Sequence, residues 1–328
     1  MKVIFSMLLL MIFCTSCSSL STNQVTYNAT LDGFKYPFDT KKFTFKSQRQ
    51  KLEMSYMDVG DSTSSEAIVL LHGKNFSGYY WEDVAKKLMK NGYRVIIPDQ
   101  IGFGKSSKPQ FYQYNFSQLA LNTKLLLDSL NIKKRIIIGH SMGGMLASTY
   151  AYNYPENIDE LILINPIGLE PYGKYTKYRD PNFFYRIESS KTVEKIRDYQ
   201  KKFYYDGKWS EKYEKLLQTH AGQLKGADWN IIAWNNALLY GPIFNEDITS
   251  KFSSIKTKTS LIIGTRDRTG PGRGWKKDGI NYKLGQYDKL GKKAAKMFPN
   301  AVLYEMPGIG HMPHFESFDS FIKILNKA

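Results

Sequence analysis

Residues Gly139-His140-Ser141-Met142-Gly143 lie between two stretches of opposite character. Before them runs Arg135-Ile136-Ile137-Ile138, β-branched and apolar; after them Gly144-Met145-Leu146-Ala147-Ser148-Thr149-Tyr150-Ala151 reads as a helix. A serine with glycines two positions before and two after, set between a buried strand and a helix, implies a sharp, strained turn with no Cβ in the way. Such a turn lifts the hydroxyl from the carboxyl edge of a sheet, at a helix amino end whose dipole favours developing negative charge. A glycine-rich turn without chemistry is the plain alternative for the pentapeptide alone. The flanking strand and helix argue against it and make Ser141 a candidate nucleophile.

The rest of the chain supplies the sheet. Phe43–Phe45 and Leu52–Val59 read as two antiparallel strands with Ser47-Gln48-Arg49-Gln50 between them. Buried strands follow at Ala67–Leu71, Tyr93–Ile97 and Leu161–Ile164, with helical patterns after Trp81 and over Ser117–Leu130. Strands alternating with helices imply an α/β fold with a mostly parallel central sheet flanked by helices. The rhythm breaks after Asn165-Pro166. Residues 167–250 are rich in Tyr, Phe, Trp and Lys and helical in pattern, and are read as an inserted helical cap. The core is then 43–166 with 251–328, resuming at Ser260–Gly264 and Ala301–Glu305 and closing with a helix over Phe315–Leu325. Trp229, Trp234 and Tyr240 of the cap are candidates to line a pocket, with cap-to-core packing the commoner fate.

The amino terminus reads as a targeting segment, residues 1–17. Met1-Lys2 is positive, and Val3–Phe13 is an apolar run of about eleven residues, long enough for a signal-peptide core and too short to span a bilayer. Thr15-Ser16-Cys17-Ser18-Ser19 follows and resembles the lipobox of bacterial lipoproteins, which implies lipidation at Cys17; Cys14 stands where an aliphatic residue is usual. Export to the cell envelope, with a membrane anchor, is the expectation. Residues 18–42 then form a tether leading into the fold. The chain's 2 cysteines, Cys14 and Cys17, both fall in the targeting segment, so thiol catalysis and cysteine-ligated metal are excluded for the folded part. The net charge of +16 raises nucleic acid as a partner. The lysines are dispersed, however, and no zinc spacing, RNP-like motif or basic arm accompanies them, so no nucleic acid is expected.

A serine hydroxyl needs a base, and that base a carboxylate to fix its tautomer. Asp267, in Gly264-Thr265-Arg266-Asp267, and His311, in Gly308-Ile309-Gly310-His311, follow strands at the same sheet edge as Ser141. His314 competes with His311, and Asp99 with Asp267; the glycine setting favours His311, and Asp99 fits a brace for the turn at Gly102. His72 and His140 read as structural, and His220 as an ordinary cap histidine. No metal-ligand spacing and no cofactor motif is present.

Together His72-Gly73-Lys74, Asp99-Gln100-Ile101-Gly102-Phe103-Gly104, Gly139-His140-Ser141-Met142-Gly143-Gly144, Gly264-Thr265-Arg266-Asp267 and Gly310-His311 resemble the α/β-hydrolase superfamily, in the branch of serine esterases, cofactor-free haloperoxidases and epoxide-hydrolase-like enzymes. The resemblance runs from about Phe43 to the carboxyl end. It implies a triad of Ser141, Asp267 and His311, and an oxyanion hole from the backbone N–H groups of Met142 and Lys74. The Lys74 side chain is left either to attract an anionic substrate or to lie solvated at the pocket mouth. Some relatives carry their acid one strand earlier, where this chain has Asn165. Serine rather than aspartate at the turn favours acyl transfer, so a small-molecule ester is the expected substrate. Amide, thioester, lactone and carbon–carbon bonds stay open, as does a non-catalytic binding protein on the same scaffold.

Overall fold

A computed structural model describes residues 25–328. Val3–Phe13, Cys14 and Cys17 lie outside the described residues. Eight strands form one sheet: β1 (Thr40–Ser47), β2 (Gln50–Val59), β3 (Glu66–Leu71), β4 (Val95–Pro98), β5 (Lys134–His140), β6 (Ile158–Ile164), β7 (Lys258–Gly264) and β8 (Ala301–Met306). Their order across the sheet is β1-β2-β4-β3-β5-β6-β7-β8. β1 and β2 run antiparallel to their neighbours, and every pairing from β4 to β8 is parallel. The chain starts the parallel part at β3, steps to β4 on one side and returns to β5 on the other. The crevice outside the carboxyl ends of β3 and β5 is therefore the switch point where such sheets build sites.

Helices cover both faces, as the apolar strands require. They are α1 (Glu82–Lys90), α2 (Phe116–Ser129) and α3 (Met142–Asn153), with α10 (Tyr287–Ala295), α11 (Pro313–Glu316) and α12 (Phe318–Leu325) later in the chain. Ile137 and Ile138 on adjacent positions of β5 belong to different buried clusters, one on each side of the sheet. Between β6 and β7 the chain leaves the sheet for α4 (Tyr172–Tyr175), α5 (Pro181–Ser189), α6 (Val193–Phe203), α7 (Glu211–Leu224), α8 (Trp229–Leu238) and α9 (Tyr240–Asn245).

Three local expectations are corrected. The first hairpin is longer than its apolar residues suggest, because Gln48 and Arg49 both take positive φ (48° and 63°) and close a two-residue turn. The strand expected over Tyr93–Ile97 begins at Val95, since Gly92 at φ 88° still ends the preceding helix. The last helix is broken at Ser317 (φ −143°). Glu316, the last residue of α11, accepts the Gly310 N–H (2.7 Å) and pairs with Arg266, which ties the bend to the loop carrying His311.

The residues before β1 are packed. Tyr27 donates its N–H to Gly222 O (3.0 Å) and Ala29 to Asp228 Oδ2 (2.8 Å), both on the cap. A Cβ on Gly222 would stand 2.2 Å from the Tyr27 ring, so a side chain there would push the segment off the cap. Farther on, Tyr36 OH donates to Asp99 Oδ2 (2.7 Å) in the core.

Candidate active site

Ser141 follows β5 directly and precedes the first residue of α3, with φ 56° and ψ −119°. A non-glycine residue in that region costs on the order of 1–3 kcal/mol. The surrounding fold enforces it through close approach. A Cβ on Gly139 would lie 2.2 Å from Gly143 O, and one on Gly143 2.2 Å from Leu71 O of β3. Only hydrogen at both positions lets helix and strands come this near.

His311, on the loop after β8, places Nε2 3.0 Å from Ser141 Oγ. Its Nδ1 lies 2.6 Å from Asp267 Oδ2, on the loop after β7. All three are buried, Ser141 being the most accessible at 7%. Burial works to raise the Asp267 pKa, but the imidazole of His311 and the hydrogen bonds from His311 and Thr269 hold it below the ordinary carboxylate value. Ser141, His311 and Asp267, remote in sequence, thus form one hydrogen-bonded line.

Asn165 extends that line. Its Oδ1 accepts the Gly264 N–H (2.8 Å), which fixes the amide so that Nδ2 faces Asp267 Oδ2 at 2.9 Å. The Thr269 N–H donates to Asp267 Oδ1 (2.7 Å). The residue at the end of β6 therefore orients the carboxylate, a role that only its strand position hints at. Asp99 is engaged elsewhere, accepting from Gly78 N (2.6 Å), Lys105 N (2.8 Å) and Tyr36 OH. His314 is buried and stacked on Trp81, ring centroids 4.8 Å apart, away from the line.

Two further histidines hold the loops. His72 Nε2 accepts the Gln100 N–H (3.0 Å), so Nδ1 carries the proton and donates to Gly73 O (2.9 Å). His140 Nε2 lies 2.9 Å from the carbonyl oxygen of His311 and must donate to it. Its Nδ1 is then an acceptor for Tyr80 OH (3.0 Å), and that hydroxyl oxygen accepts the Gly73 N–H (3.0 Å). Burial brings the His140 pKa down to about 3, so the ring is neutral and this tautomer persists. The loop after β3, the serine turn and the His311 loop are joined by these bonds.

Met142 opens α3, so its N–H has no intrahelical acceptor. Gly73 stands against the serine: a Cβ there would lie 3.1 Å from Ser141 Cβ. That brings the next residue, Lys74, to the same crevice. The Lys74 side chain follows neither sequence expectation. Its three ammonium protons face Glu188 Oε1 (3.2 Å), Asn75 Oδ1 (3.4 Å) and Asn236 Oδ1 (3.4 Å), with the Tyr240 ring 4.2 Å away. The side chain is 9% exposed and has no donor left for a ligand. The long stem carries the charge inward because Glu188 of the cap, itself buried, offers a counter-ion.

Burial lowers the Lys74 pKa to about 8 against the pull of Glu188. The ordinary value is 10.5, so between these pH values the unfolded chain binds more protons than the folded one, and the contribution of Lys74 to stability rises with pH. Lys74→Met leaves Glu188 paired with Lys191 (2.6 Å) and Tyr240 (2.8 Å). In urea unfolding at about pH 7 and about pH 9.5, wild type is expected to gain on this variant at the higher pH. A gap that stays constant would mean the ammonium is not buried.

The cap roofs the site. Tyr204, at the end of α6, lies over His311 with ring centroids 4.5 Å apart. Of the aromatic residues singled out in the cap, Tyr240 reaches the Lys74–Glu188 pair, Trp229 is buried beside His220, and Trp234 faces outward, donating to Gln110 O (2.8 Å). Among the described residues, no group of three or more His, Cys, Asp or Glu could hold a metal ion, and no helix is long and apolar enough to cross a membrane.

A family described as the alpha/beta hydrolase fold matches residues 66–318. A probable hydrolytic enzyme from Pseudomonas aeruginosa PAO1 is similar in structure, with TM-score 0.89 and 40% identity over 93% of this chain and 98% of its own. A 2-hydroxy-6-oxononadienedioate/2-hydroxy-6-oxononatrienedioate hydrolase from Comamonas testosteroni is 25% identical over 283 residues, 81% of this chain and 88% of the relative. An esterase from Exiguobacterium antarcticum shares the fold at TM-score 0.65 and 18% identity, over 84% of this chain and 95% of its own.

Proposed function

Because the chain belongs to the α/β-hydrolase fold family, we propose that it is a serine hydrolase cleaving esters through an acyl-enzyme on Ser141. The observation that carries this reading is the unbroken line Ser141 Oγ–His311–Asp267, at 3.0 Å and 2.6 Å. His311 Nε2 takes the hydroxyl proton as Oγ bonds to the carbonyl carbon, and the carbonyl electrons move to oxygen. The N–H groups of Met142 and Lys74 receive that oxyanion, each contributing about 3 kcal/mol to the lowering of the barrier. As the tetrahedral species collapses, His311 gives its proton to the departing alkoxide. Water, deprotonated by the same nitrogen, then releases the acid. Asp267 keeps Nδ1 protonated throughout and stabilises the imidazolium.

The Comamonas relative favours a second reading. The substrate in that relative's name is a keto diacid with no ester or amide link, so hydrolysis there breaks a carbon–carbon bond. The two readings part in one experiment. p-Nitrophenyl esters of graded chain length and a 2-hydroxy-6-oxo-dienoate are offered to one part of a preparation, and a separate part is labelled with a fluorophosphonate. Labelling at Ser141 with turnover of the esters is expected. Turnover of the keto acid alone transfers the assignment to carbon–carbon cleavage, and folded protein that takes no label points to a non-catalytic scaffold.

The envelope location is part of the proposal and is supported by the residues of the targeting segment. Cys17 is the point of lipid attachment, and membrane association that survives Cys17→Ser argues against it.

A further inference from the structure

The turn after β3 is held from two sides. Its first residue, Gly73, belongs to the core: its N–H donates to Tyr80 OH (3.0 Å), and its carbonyl accepts from His72 Nδ1 (2.9 Å). The Phe76 N–H closes the turn on the same carbonyl at 3.3 Å. Among the described residues, no hydrogen bond from the sheet or its helices reaches the two residues between, Lys74 and Asn75.

The cap holds those two instead. Glu188 of α5 accepts from the Lys74 ammonium at 3.2 Å, and Asn236 of α8 faces it at 3.4 Å. Tyr240, which opens α9, places its ring 4.2 Å from the same ammonium and donates its hydroxyl to Glu188 (2.8 Å). His220 of α7 lies against the Asn75 backbone. Asn75 itself stands at φ 69°, a left-handed conformation that a turn residue keeps when its neighbours impose it.

The Lys74–Glu188 pair is a poor device for stability alone. Glu188 is fully buried and the Lys74 side chain nearly so, and the cost of taking both ions out of water offsets most of their attraction. What such a pair does supply is a fixed position, because either charge moved off its partner is left buried and uncompensated. The group so fixed is one residue from Gly73, which abuts Ser141. An oxyanion donor works within a few tenths of an ångström of its best distance, and a displacement of about 1 Å costs on the order of 100-fold in rate.

We propose that Glu188 is a positioning residue of the oxyanion hole: through the Lys74 ammonium it fixes the Lys74 N–H, so the hole is complete while the cap is seated and incomplete when it lifts. The proposal rests on the serine-hydrolase reading above.

Three single variants of the full chain test it. Glu188→Gln removes the charge and keeps the length. Lys74→Met breaks the same link from the other side, and carries the test if Glu188→Gln does not fold. Arg197→Met breaks an ion pair with Glu214 (2.7 Å) inside the cap and serves as the control for general loosening. Each is given the p-nitrophenyl ester that wild type turns over best, and a trifluoromethyl ketone. Ser141 Oγ bonds to the ketone carbon, the hydroxyl proton passes to His311, and the carbonyl electrons leave an alkoxide in the hole. For Glu188→Gln and Lys74→Met, kcat is expected to fall about 10- to 100-fold with KM within about threefold, and ketone binding to weaken by about the same factor. The double variant should be no worse than the weaker single, since both break one link. Arg197→Met should match wild type. Folded Glu188→Gln and Lys74→Met with wild-type kcat and ketone affinity overturn the proposal. So does a loss confined to KM, or an equal loss in Arg197→Met. Wild type that turns over no ester and binds no ketone overturns the serine-hydrolase reading, and this proposal with it.

Discussion

Ser141→Ala is expected to lower kcat on any accepted ester by at least about 10⁴-fold while KM changes little. The hydroxyl is the only atom of the site that would bond to the substrate, and nothing else there is placed to replace it. The backbone N–H groups at Met142 and Lys74 remain, so weak residual turnover above the uncatalysed rate persists. Alanine keeps the φ of 56° and its strain, so the melting temperature should be close to that of wild type. Ser141→Gly relieves the strain and is expected to be the more stable variant, by about 1 kcal/mol, though equally inactive. Stopped-assay kinetics with thermal melts on the three proteins check both halves. Retention of even a tenth of the wild-type rate by Ser141→Ala would remove the nucleophile from the proposal.

Asp267→Asn is the second large loss, about 10³- to 10⁴-fold in kcat. Asp267 accepts at both oxygens: Thr269 N–H at Oδ1, and His311 Nδ1 and Asn165 Nδ2 at Oδ2. An amide that keeps the Thr269 bond turns its own NH₂ toward two donors. His311 can answer only by moving its proton to Nε2, and that nitrogen then no longer accepts from Ser141. The base is present but in the wrong tautomer. The neighbouring Asn165 cannot turn to help, because Gly264 N–H holds its oxygen at 2.8 Å. Fluorophosphonate labelling rates follow the same loss. Unchanged kinetics in Asp267→Asn would send the search for the acid back to Asp99, despite its three bonds elsewhere.

Much of this architecture was legible in the chain because the relevant signals are local. The isoleucines before Gly139 and the glycines around Ser141 specify a turn that few other arrangements satisfy, and the two loops carrying Asp267 and His311 follow apolar runs of strand length. Other features were hidden because they depend on partners remote in sequence. Lys74 reads as a solvated lysine until Glu188, on an inserted helix, appears beside it. Asn165 reads as a missing carboxylate until Gly264 and Asp267 orient it. Gln48-Arg49 carries none of the glycine or asparagine that announces a two-residue turn, so the hairpin's length came from pairing rather than composition. Ser317 breaks the last helix because Glu316 is recruited by Gly310 and Arg266, and no periodicity records that.

The attachment of Tyr27 and Ala29 to α7 and α8 has a mechanical side. Under the mooring proposed at Cys17, a pull on the amino terminus reaches the roof over His311 before it reaches the sheet. Mooring and access to the reactive centre then share one lever, and the state of the membrane would be felt where substrate must pass.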